Sequence, residues 1–334
     1  MKANYVIELA EGAKVDAPFA LRTKDMRAAR TGDAYLALEL ADRTGQIPAV
    51  CFRPDAEATS IPVGSVVRVR GTVTSYRGIK RVSVESMCAA STSDPGDFVA
   101  AGVRDFDESI AEFKSLAAAV AQPQLRNVLR AVFGDEEFLA RFGRCPGSQS
   151  YHHAYLGGLI EHTIAVASLA RNAAQRYESI DADLLLTAAL LHDVGKCDEL
   201  AFDTSIEYTD QGRLLGHVTL GIIRIRDAIA RHRVRVAPEC LMCLEHAVLS
   251  HHGELEWGSP KRPSTLEALL LHHIDNLDAK TSGLSELLGS AARVDEAWTD
   301  AANLFRRPLF APRAAEDDRL RPVQEDELHC RLTA

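Results

Sequence analysis

Residues 190–196 read Leu-Leu-His-Asp-Val-Gly-Lys, which places His192 and Asp193 side by side at the end of an apolar segment, residues 182–191. That segment is apolar almost all round, which predicts a buried helix, and Gly195 is a typical stop signal. Burying an imidazole and a carboxylate is costly without a partner, so the pair predicts metal coordination. The alternative is a structural pair, in which His192 caps the helix and Asp193 binds an arginine.

Further metal-ligating residue types lie on both sides of this pair. Eleven of the twelve histidines fall between His152 and His273. His162 lies near the start of a segment with helical periodicity, and a second helix is predicted from Ser264, where Ser-Thr-Leu-Glu resembles a capping box and Asp275 follows. Imidazole together with carboxylate suits Mn, Fe, Co, Ni or Zn.

Three predicted helices can therefore aim four ligands at one point: His162, His192, Asp193 and Asp275. Asp193 has two oxygens and could bridge a second ion held by three further histidines: His217, His251 and His252. Two bridged cations would clamp a phosphate and lower the pKa of a shared water, which makes a nucleophile at neutral pH. The pattern predicts a hydrolytic site with one or two divalent cations.

These motifs resemble the HD phosphohydrolase superfamily, whose pattern of His, His-Asp and Asp is matched by His162, His192-Asp193 and Asp275. More narrowly, the chain resembles the YhaM-type 3′-to-5′ exoribonucleases, which join an N-terminal OB-fold to a C-terminal HD domain. The matching phrases are HHAYLGGLIEHT at 152–163, LLGH at 214–217, SHHG at 250–253, EWGSP at 256–260 and IDNLDAK at 274–280.

The resemblance implies a metal-dependent phosphodiesterase that degrades single-stranded RNA, with single-stranded DNA as a further candidate, to nucleoside 5′-monophosphates. It favours manganese, as do the mixed nitrogen and oxygen ligands. In the superfamily the final aspartate precedes a polar residue and a leucine, which favours Asp275 over Asp278. Any one of His217, His251 and His252 could instead orient a ligand or bind phosphate.

Residues beside the ligands are predicted to meet the substrate. Lys196, with Asp193, is a predicted catalytic residue because its fixed charge could hold the scissile phosphate, although it could also be purely structural. His152 and His153 could contact the substrate phosphate or could be buried, hydrogen-bonded histidines. A second group could stack a terminal base or bind a backbone phosphate, or could only pack its loop: Trp257, Lys261 and Arg262. His246, His272 and His273 are interpreted as orienting or packing residues.

The N-terminal residues 1–90 are predicted to form a small OB-type β-barrel. Three segments alternate between apolar and polar residues and are broken by turns: 34–40, 47–52 and 63–74. A basic, aromatic hairpin tip follows at 76–81, a layout that fits a Greek-key barrel. Residues 1–90 carry a net charge of +3 and the rest of the chain −12, so the barrel is the expected polyanion-binding module.

Single-strand binders of this fold stack bases on aromatic rings and hold the backbone in a cationic groove. The candidates for such contacts are Tyr35, Phe52, Tyr76, Arg77, Lys80 and Arg81. In the alternative interpretation, Phe52 fills the barrel core and the arginines form a solvated face.

The 334 residues predict two domains. Residues 91–105 are predicted to be a flexible linker because the stretch is rich in Ala, Ser, Asp, Pro and Gly. Residues 106–312 are predicted to form an all-α HD domain, and 313–334 a poorly ordered acidic tail. No segment is long and apolar enough to predict a membrane span, and the N-terminal residues do not have the pattern expected of a signal peptide. Seven irregularly spaced cysteines favour a reducing, cytoplasmic setting.

Two other functions are compatible with the predicted site. An HD-type hydrolase of cyclic dinucleotides, cyclic mononucleotides or dNTPs would need no OB-like domain, and the Gly-Tyr-Pro of the HD-GYP type is replaced by Gly-Ser-Pro at 258–260. A non-catalytic RNA-binding protein could keep a metal for stability, but such a site would not need an open position or Lys196. The oligomeric state is left open.

Overall fold

The computed structural model describes residues 4–28, 32–90, 94–150, 153–291, 297–303 and 305–310. The candidate His152 and the predicted tail at 313–334 lie outside these ranges. The chain forms two compact units, residues 1–278 and residues 279–334. Within the described residues, none of the helices has the length and apolarity needed to cross a membrane.

The N-terminal part is a closed barrel with strand order β1-β2-β3-β5-β4. Its strands are β1 (Lys14–Ala28), β2 (Ala34–Asp42), β3 (Gly45–Phe52), β4 (Val66–Tyr76) and β5 (Ile79–Ala89), with the short helix α1 (Ala56–Ser60) after β3. Along β2, Leu36, Leu38 and Leu40 point inward and are buried, as the period of two requires. β3 runs parallel to β5 and closes the barrel, which confirms the predicted OB-type fold.

The remainder of the described chain is helical apart from two short strands, β6 (Leu200–Ala201) and β7 (Glu207–Tyr208). The helices are α2 (Phe106–Ala118), α3 (Pro123–Phe133), α4 (Glu136–Arg144), α5 (Gly158–Ala174), α6 (Ala182–Leu191), α7 (Lys196–Glu199), α8 (Asp210–Arg231), α9 (Pro238–Ser250) and α10 (Leu266–Ala291). Every residue of α6 from Leu184 to Leu191 is buried, and α6 packs against α5 and α9. The predicted buried helix is therefore the centre of the helical domain.

The start of α10 differs from the predicted capping box. Thr265, not Ser264, caps the helix, because its Oγ1 accepts a hydrogen bond from the backbone N of Ala268 at 3.2 Å. The Glu267 carboxylate accepts from the backbone N of Asp181 instead, at 3.0 Å. The acidic residue thus joins α10 to the start of α6 and does not close a box on its own helix.

The segment between the two domains is packed, so the prediction of a flexible linker is wrong for the described part of 91–105. Phe98 is buried and packs against Ala20 of β1. The backbone N of Leu156 donates to the carbonyl of Ala100 at 2.8 Å. Composition gave the wrong expectation because the apolar side chain of Phe98 anchors the segment to the barrel.

The barrel also contacts the helical domain directly, through the loop between β6 and β7. Arg22 Nη2 donates to the carbonyl of Thr204 at 2.7 Å, and Thr204 Oγ1 donates to the carbonyl of Gly64 at 3.0 Å. The Arg22 guanidinium is partly buried, and this burial lowers its pKa. These contacts, together with the packed linker, hold the barrel and the helical domain in one arrangement.

In the second unit, residues 279–334, the described part contains the end of α10 and a bridge between Trp298 and Phe310. The centroids of their two rings are 5.1 Å apart.

Candidate functional site

The seven predicted metal ligands come from five places in the helical domain. His162 lies on α5, His192 and Asp193 follow α6, His217 lies on α8, His251 and His252 follow α9, and Asp275 lies on α10. The structure brings the other six together around Asp193. We call His162, His192 and Asp275 the first half-site and His217, His251 and His252 the second half-site.

Asp193 lies between the two half-sites, with one oxygen toward each. Its Oδ2 is 3.5 Å from His162 Nε2 and 3.3 Å from His192 Nε2. Its Oδ1 is 3.4 Å from His217 Nε2 and 3.6 Å from His251 Nε2. Each carboxylate oxygen thus faces a different pair of imidazoles, which is the arrangement that a bridging carboxylate needs.

The remaining ligands complete the two half-sites. Asp275 Oδ1 is 3.1 Å from His162 Nε2 in the first half-site. His252 Nε2 is 3.2 Å from His217 Nε2 in the second. The ligand atoms within each half-site are therefore close enough to share one cation.

Two of the histidines are oriented by backbone carbonyls of their own helix ends. His192 Nδ1 donates to the carbonyl of Ala189 at 2.8 Å, and His251 Nδ1 donates to the carbonyl of Val248 at 2.7 Å. Because Nδ1 carries the proton in both rings, Nε2 is the nitrogen with a free lone pair. Both lone pairs are directed toward Asp193.

Two other histidines are oriented by carboxylates. His162 Nδ1 is 2.7 Å from Asp278 Oδ2. His217 Nδ1 is 3.0 Å from Glu199 Oε1, which also accepts from the backbone N of His217 at 2.9 Å. Carboxylates in this position fix the ring of a metal-binding histidine and raise its basicity.

Two glycines allow the helix ends around His217 to approach each other. A Cβ at Gly195 would collide with the backbone carbonyl of His217, so glycine is required at this contact between the start of α7 and α8. Gly216 has a φ of 72° and interrupts α8 immediately before His217, a conformation that glycine adopts at little cost. The kink leaves the backbone N of His217 available to Glu199.

Three buried atoms at the centre lack a hydrogen-bond partner among the described residues: His252 Nδ1, Asp193 Oδ1 and His251 Nε2, of which the last two face each other. Asp193 is 3% exposed and His251 is 1% exposed. Leaving such polar atoms unpaired costs free energy, and a cation between Asp193 Oδ1 and His251 Nε2 would satisfy both of these atoms. Imidazole nitrogens with carboxylate oxygens are ligands for divalent transition metals, so the cluster can hold a metal ion.

Opposite charges set the pKa values of Asp193 and of the first half-site. Burial would raise the pKa of Asp193, but the Lys196 ammonium, 2.6 Å from Oδ2, holds it well below its usual range. Burial opposes ionisation of Asp275 as well, yet its bond to His162 keeps its pKa low. Burial would lower the pKa of His162, but Asp275 and Asp278 raise it to about 9. Because a proton and a metal ion compete for the same imidazole nitrogen, protonation of His162 would oppose metal binding.

Two histidines of the second half-site, His251 and His252, favour the neutral form because they are buried. Burial lowers the pKa of His251, and it lowers the pKa of His252 to about 3. Neutral imidazole is the form that binds a metal. These two rings are therefore ready to act as ligands at neutral pH.

The residues of the helical domain that were predicted to contact the substrate differ in how exposed they are. The buried His153 lies 3.0 Å from the Tyr155 hydroxyl and 3.3 Å from Asp278, which fits the buried, hydrogen-bonded alternative better than direct substrate contact. Trp257, Lys261 and Arg262 are all exposed. Arg262 Nε donates a hydrogen bond to Glu254 Oε2 at 3.1 Å.

The three histidines interpreted as orienting or packing residues also differ from one another. His246 Nε2 accepts a hydrogen bond from the backbone N of Ser264 at 2.8 Å, which is a structural role. His272 Nδ1 donates to the carbonyl of His251 at 2.8 Å, and so supports a ligand. The ring centroid of His273 is 5.0 Å from that of His272.

On the barrel, the first group of candidates is an aromatic pair on the outer face of β2 and β3. Tyr35 and Phe52 are opposite each other in the strand register, with ring centroids 5.7 Å apart. Phe52 is 53% exposed, so the alternative that it fills the barrel core is wrong. The pair offers an accessible aromatic surface.

The second group lies at the hairpin between β4 and β5. Tyr76 is 52% exposed. The guanidinium carbons of Arg81 and Arg77 are 4.5 Å and 5.4 Å from its ring centroid. Lys80 Nζ donates to the backbone carbonyl of Leu9 at 3.2 Å. The hairpin therefore combines an aromatic ring with three cationic side chains.

The comparisons with known proteins match the two domains separately and the chain as a whole. The HD domain family matches residues 159–280, and the OB-fold nucleic acid binding domain family matches residues 21–87. The 3′-5′ exoribonuclease YhaM of Geobacillus sp. (strain WCH70) is 32% identical over 291 residues, which cover 86% of this chain and 88% of the relative. The chain belongs to the YhaM family.

Two further YhaM exoribonucleases show the same extent of similarity. That of Bacillus velezensis (strain DSM 23117 / BGSC 10A6 / LMG 26770 / FZB42) is 32% identical over 80% of this chain and 86% of its own length. That of Bacillus subtilis (strain 168) is 32% identical over 83% of this chain and 88% of its own length. The YhaM resemblance predicted from the motifs is confirmed.

The two carboxylates that orient metal-ligand histidines, Glu199 and Asp278, were not predicted in that role. Glu199 was missed, although a carboxylate six residues after Asp193 on a short helix is a weak signal for it. Asp278 was considered only as a rival to Asp275. Its spacing one turn beyond Asp275 on the same helix could not distinguish a ligand from a residue that orients one.

Proposed function

We propose that this protein is a metal-dependent 3′-to-5′ exoribonuclease that acts on single-stranded RNA and releases nucleoside 5′-monophosphates. The observation that carries the proposal is the position of Asp193, whose two oxygens face two separate sets of imidazoles. Relatives that span most of this chain are named 3′-5′ exoribonucleases. A carboxylate with one oxygen toward each set of imidazoles could hold two neighbouring cations, which would clamp the oxygens of a phosphodiester.

The proposed metal ligands are the two half-sites together with Asp193. Manganese is the proposed ion because the ligands mix nitrogen and oxygen, and Fe, Co, Ni or Zn would also suit them. When bound, such cations polarise a phosphate and lower the pKa of water. The chain supplies the charge for them through Asp193 and Asp275, whose pKa values are both held low.

Lys196 has the role of a fixed positive charge at the edge of this centre. Its ammonium contacts Asp193 Oδ2 at 2.6 Å and keeps that carboxylate ionised. A phosphodiester reaching Asp193 would meet the same ammonium, which would stabilise the negative charge that develops on the phosphate oxygens. We therefore assign Lys196 to the substrate side of the centre, with Trp257, Lys261 and Arg262 as candidates for the 3′-terminal nucleotide.

The barrel is proposed to hold the RNA strand upstream of the cleaved bond. In OB-folds, the face of strands 2 and 3 and the loop between strands 4 and 5 bind oligonucleotides. Tyr35 and Phe52 lie on that face and Tyr76 on that loop, which supports base stacking at both places. Arg77, Lys80 and Arg81 would neutralise phosphates.

The test is a cleavage assay with purified protein, Mn²⁺ and a 5′-labelled single-stranded RNA, resolved on a sequencing gel. Wild type should give a ladder that shortens from the 3′ end, and Asp193→Asn should leave the RNA intact. Asp203→Asn is the matched control, since Asp203 is an exposed carboxylate of the same domain outside the centre. RNA that stays intact with wild type, while cyclic dinucleotides or dNTPs are hydrolysed, would replace this proposal by the small-nucleotide alternative.

A further inference from the structure

The two half-sites share one feature of construction. Each contains one histidine whose Nδ1 is held by a backbone carbonyl, and one whose Nδ1 is held by a carboxylate. The carbonyls belong to Ala189 and Val248. The carboxylates are Asp278, which holds His162, and Glu199, which holds His217. The bonds to backbone carbonyls cannot be removed by changing the side chain of the accepting residue, but the bonds to the two carboxylates can.

We infer that Asp278 and Glu199 are positioning residues, each of which sets the metal affinity of one half-site independently of the other. The inference rests on the metal centre of the proposed function and goes beyond it, because it assigns separate control of the two halves to two residues that are not ligands. Loss of such a carboxylate typically lowers metal affinity about 10- to 100-fold.

The geometry separates Asp278 from the ligands. Its Oδ2 is on the Nδ1 side of His162, whereas Asp275 and Asp193 face Nε2 of the same ring. The two nitrogens of an imidazole point away from each other, so a carboxylate bonded to Nδ1 does not share the point toward which Nε2 is directed. Asp275 is therefore placed as the ligand and Asp278 as the residue that orients His162.

Asp278 is itself held in place by a chain of hydrogen bonds that leads away from the centre. His153 Nε2 is 3.3 Å from Asp278 Oδ2, and His153 Nδ1 is 3.0 Å from the Tyr155 hydroxyl. That hydroxyl donates to Glu161 Oε2 at 2.8 Å. The chain accounts for the burial of His153 and leads through Asp278 to His162 of the first half-site.

Glu199 is held differently and acts only on the second half-site. Its Oε1 accepts from both the backbone N and Nδ1 of His217, so one oxygen fixes the backbone and the ring together. It lies at the end of α7, whose approach to α8 depends on Gly195. No hydrogen bond or ion pair among the described residues joins Glu199 to the first half-site.

The test compares Asp278→Asn and Glu199→Gln, which keep the side-chain shape and remove the charge. Metal-free full-length protein is dialysed against a series of free Mn²⁺ concentrations, and bound Mn²⁺ per chain is measured by atomic absorption. Each variant should weaken one binding step about 10- to 100-fold and leave the other step at its wild-type affinity.

The two steps are assigned with ligand variants. The step weakened in Asp278→Asn should be the one abolished in Asp275→Asn, and the step weakened in Glu199→Gln should be the one abolished in His252→Asn. Asp198→Asn is the control for Glu199, because Asp198 is the next carboxylate on α7 and binds Arg224 instead of a ligand. It should bind Mn²⁺ as wild type does.

A second measurement distinguishes positioning from loss of fold. RNA cleavage by Asp278→Asn and Glu199→Gln should recover when Mn²⁺ is raised about 10- to 100-fold, as a misfolded protein would not. If either variant weakens both steps equally, or neither step, the inference is wrong while the proposed function stands. If wild type binds no Mn²⁺ and cleaves no RNA, the proposed function fails together with the inference.

Discussion

The metal centre and the outer face of the barrel differ in how their functional side chains are held. Around Asp193, four histidines are each fixed through Nδ1 by a carbonyl or a carboxylate, and almost no side chain is exposed. On the barrel, the side chains of Phe52 and Tyr76 are half exposed, and they contact an aromatic ring and two guanidinium groups respectively. Cleavage of a phosphodiester needs catalytic groups in a fixed geometry, whereas binding a flexible single strand of RNA needs accessible aromatic and cationic side chains.

The comparison predicts the largest effect for Asp193, which both half-sites share. Asp193→Asn should lower kcat by more than about 10³-fold, beyond the 10²- to 10³-fold typical of one lost stabilising group, because it removes the charge that both halves use. RNA affinity, measured by filter binding in the absence of Mn²⁺, should stay at the wild-type value. A large loss of affinity would mean that the centre and the barrel face are not separate.

A smaller effect is expected for Lys196, which touches only one oxygen of Asp193. Lys196→Gln should lower kcat about 10²-fold, because a fixed positive charge next to the substrate phosphate is lost. Steady-state cleavage at saturating Mn²⁺ measures this. Lys114→Gln, on the exposed surface of α2, serves as the control, and a Lys196 variant with activity equal to that control would make Lys196 purely structural.

At the barrel, the expected effects are on affinity. Phe52→Ala and Tyr35→Ala should each weaken single-stranded RNA binding by about 1–3 kcal/mol, the value of one base stacked on an aromatic ring, and leave kcat unchanged. Fluorescence anisotropy with a labelled RNA gives the Kd. Ile7→Ala is the control, since Ile7 is another exposed apolar residue of the N-terminal part. Equal RNA affinities for all three variants would show that this face of the barrel does not bind RNA.

The smallest effect is expected for a single charge at the hairpin. Arg77→Gln should reduce the slope of log Kd against log salt by about 0.7, because one phosphate contact of a single strand is lost. Arg68→Gln should leave the slope unchanged, since Arg68 is already paired with Asp16 at 2.7 Å. A slope that changes in neither variant would show that the hairpin charges do not meet the backbone.

The candidate metal ligands could be predicted from the sequence, but the residues that orient them and the residue that anchors the linker could not. His162, His192-Asp193 and Asp275 have a recognisable order, and the apolar pattern of 182–191 correctly located the central helix. Glu199 and Asp278 could not be assigned, because an orienting carboxylate is defined by which ring nitrogen it touches and not by its spacing. Phe98 was overlooked because a single apolar residue in a stretch of small and polar residues carries no periodic signal.

The burial of Phe98 has a practical consequence for dividing the molecule. Ala20 and Ala41 of the barrel are covered by Phe98, which follows the last barrel strand by nine residues. A fragment cut at residue 90 would expose this apolar patch to water and would invite self-association. An isolated barrel for RNA titrations should therefore end at Val99 or later, so that Phe98 stays in place over Ala20 and Ala41.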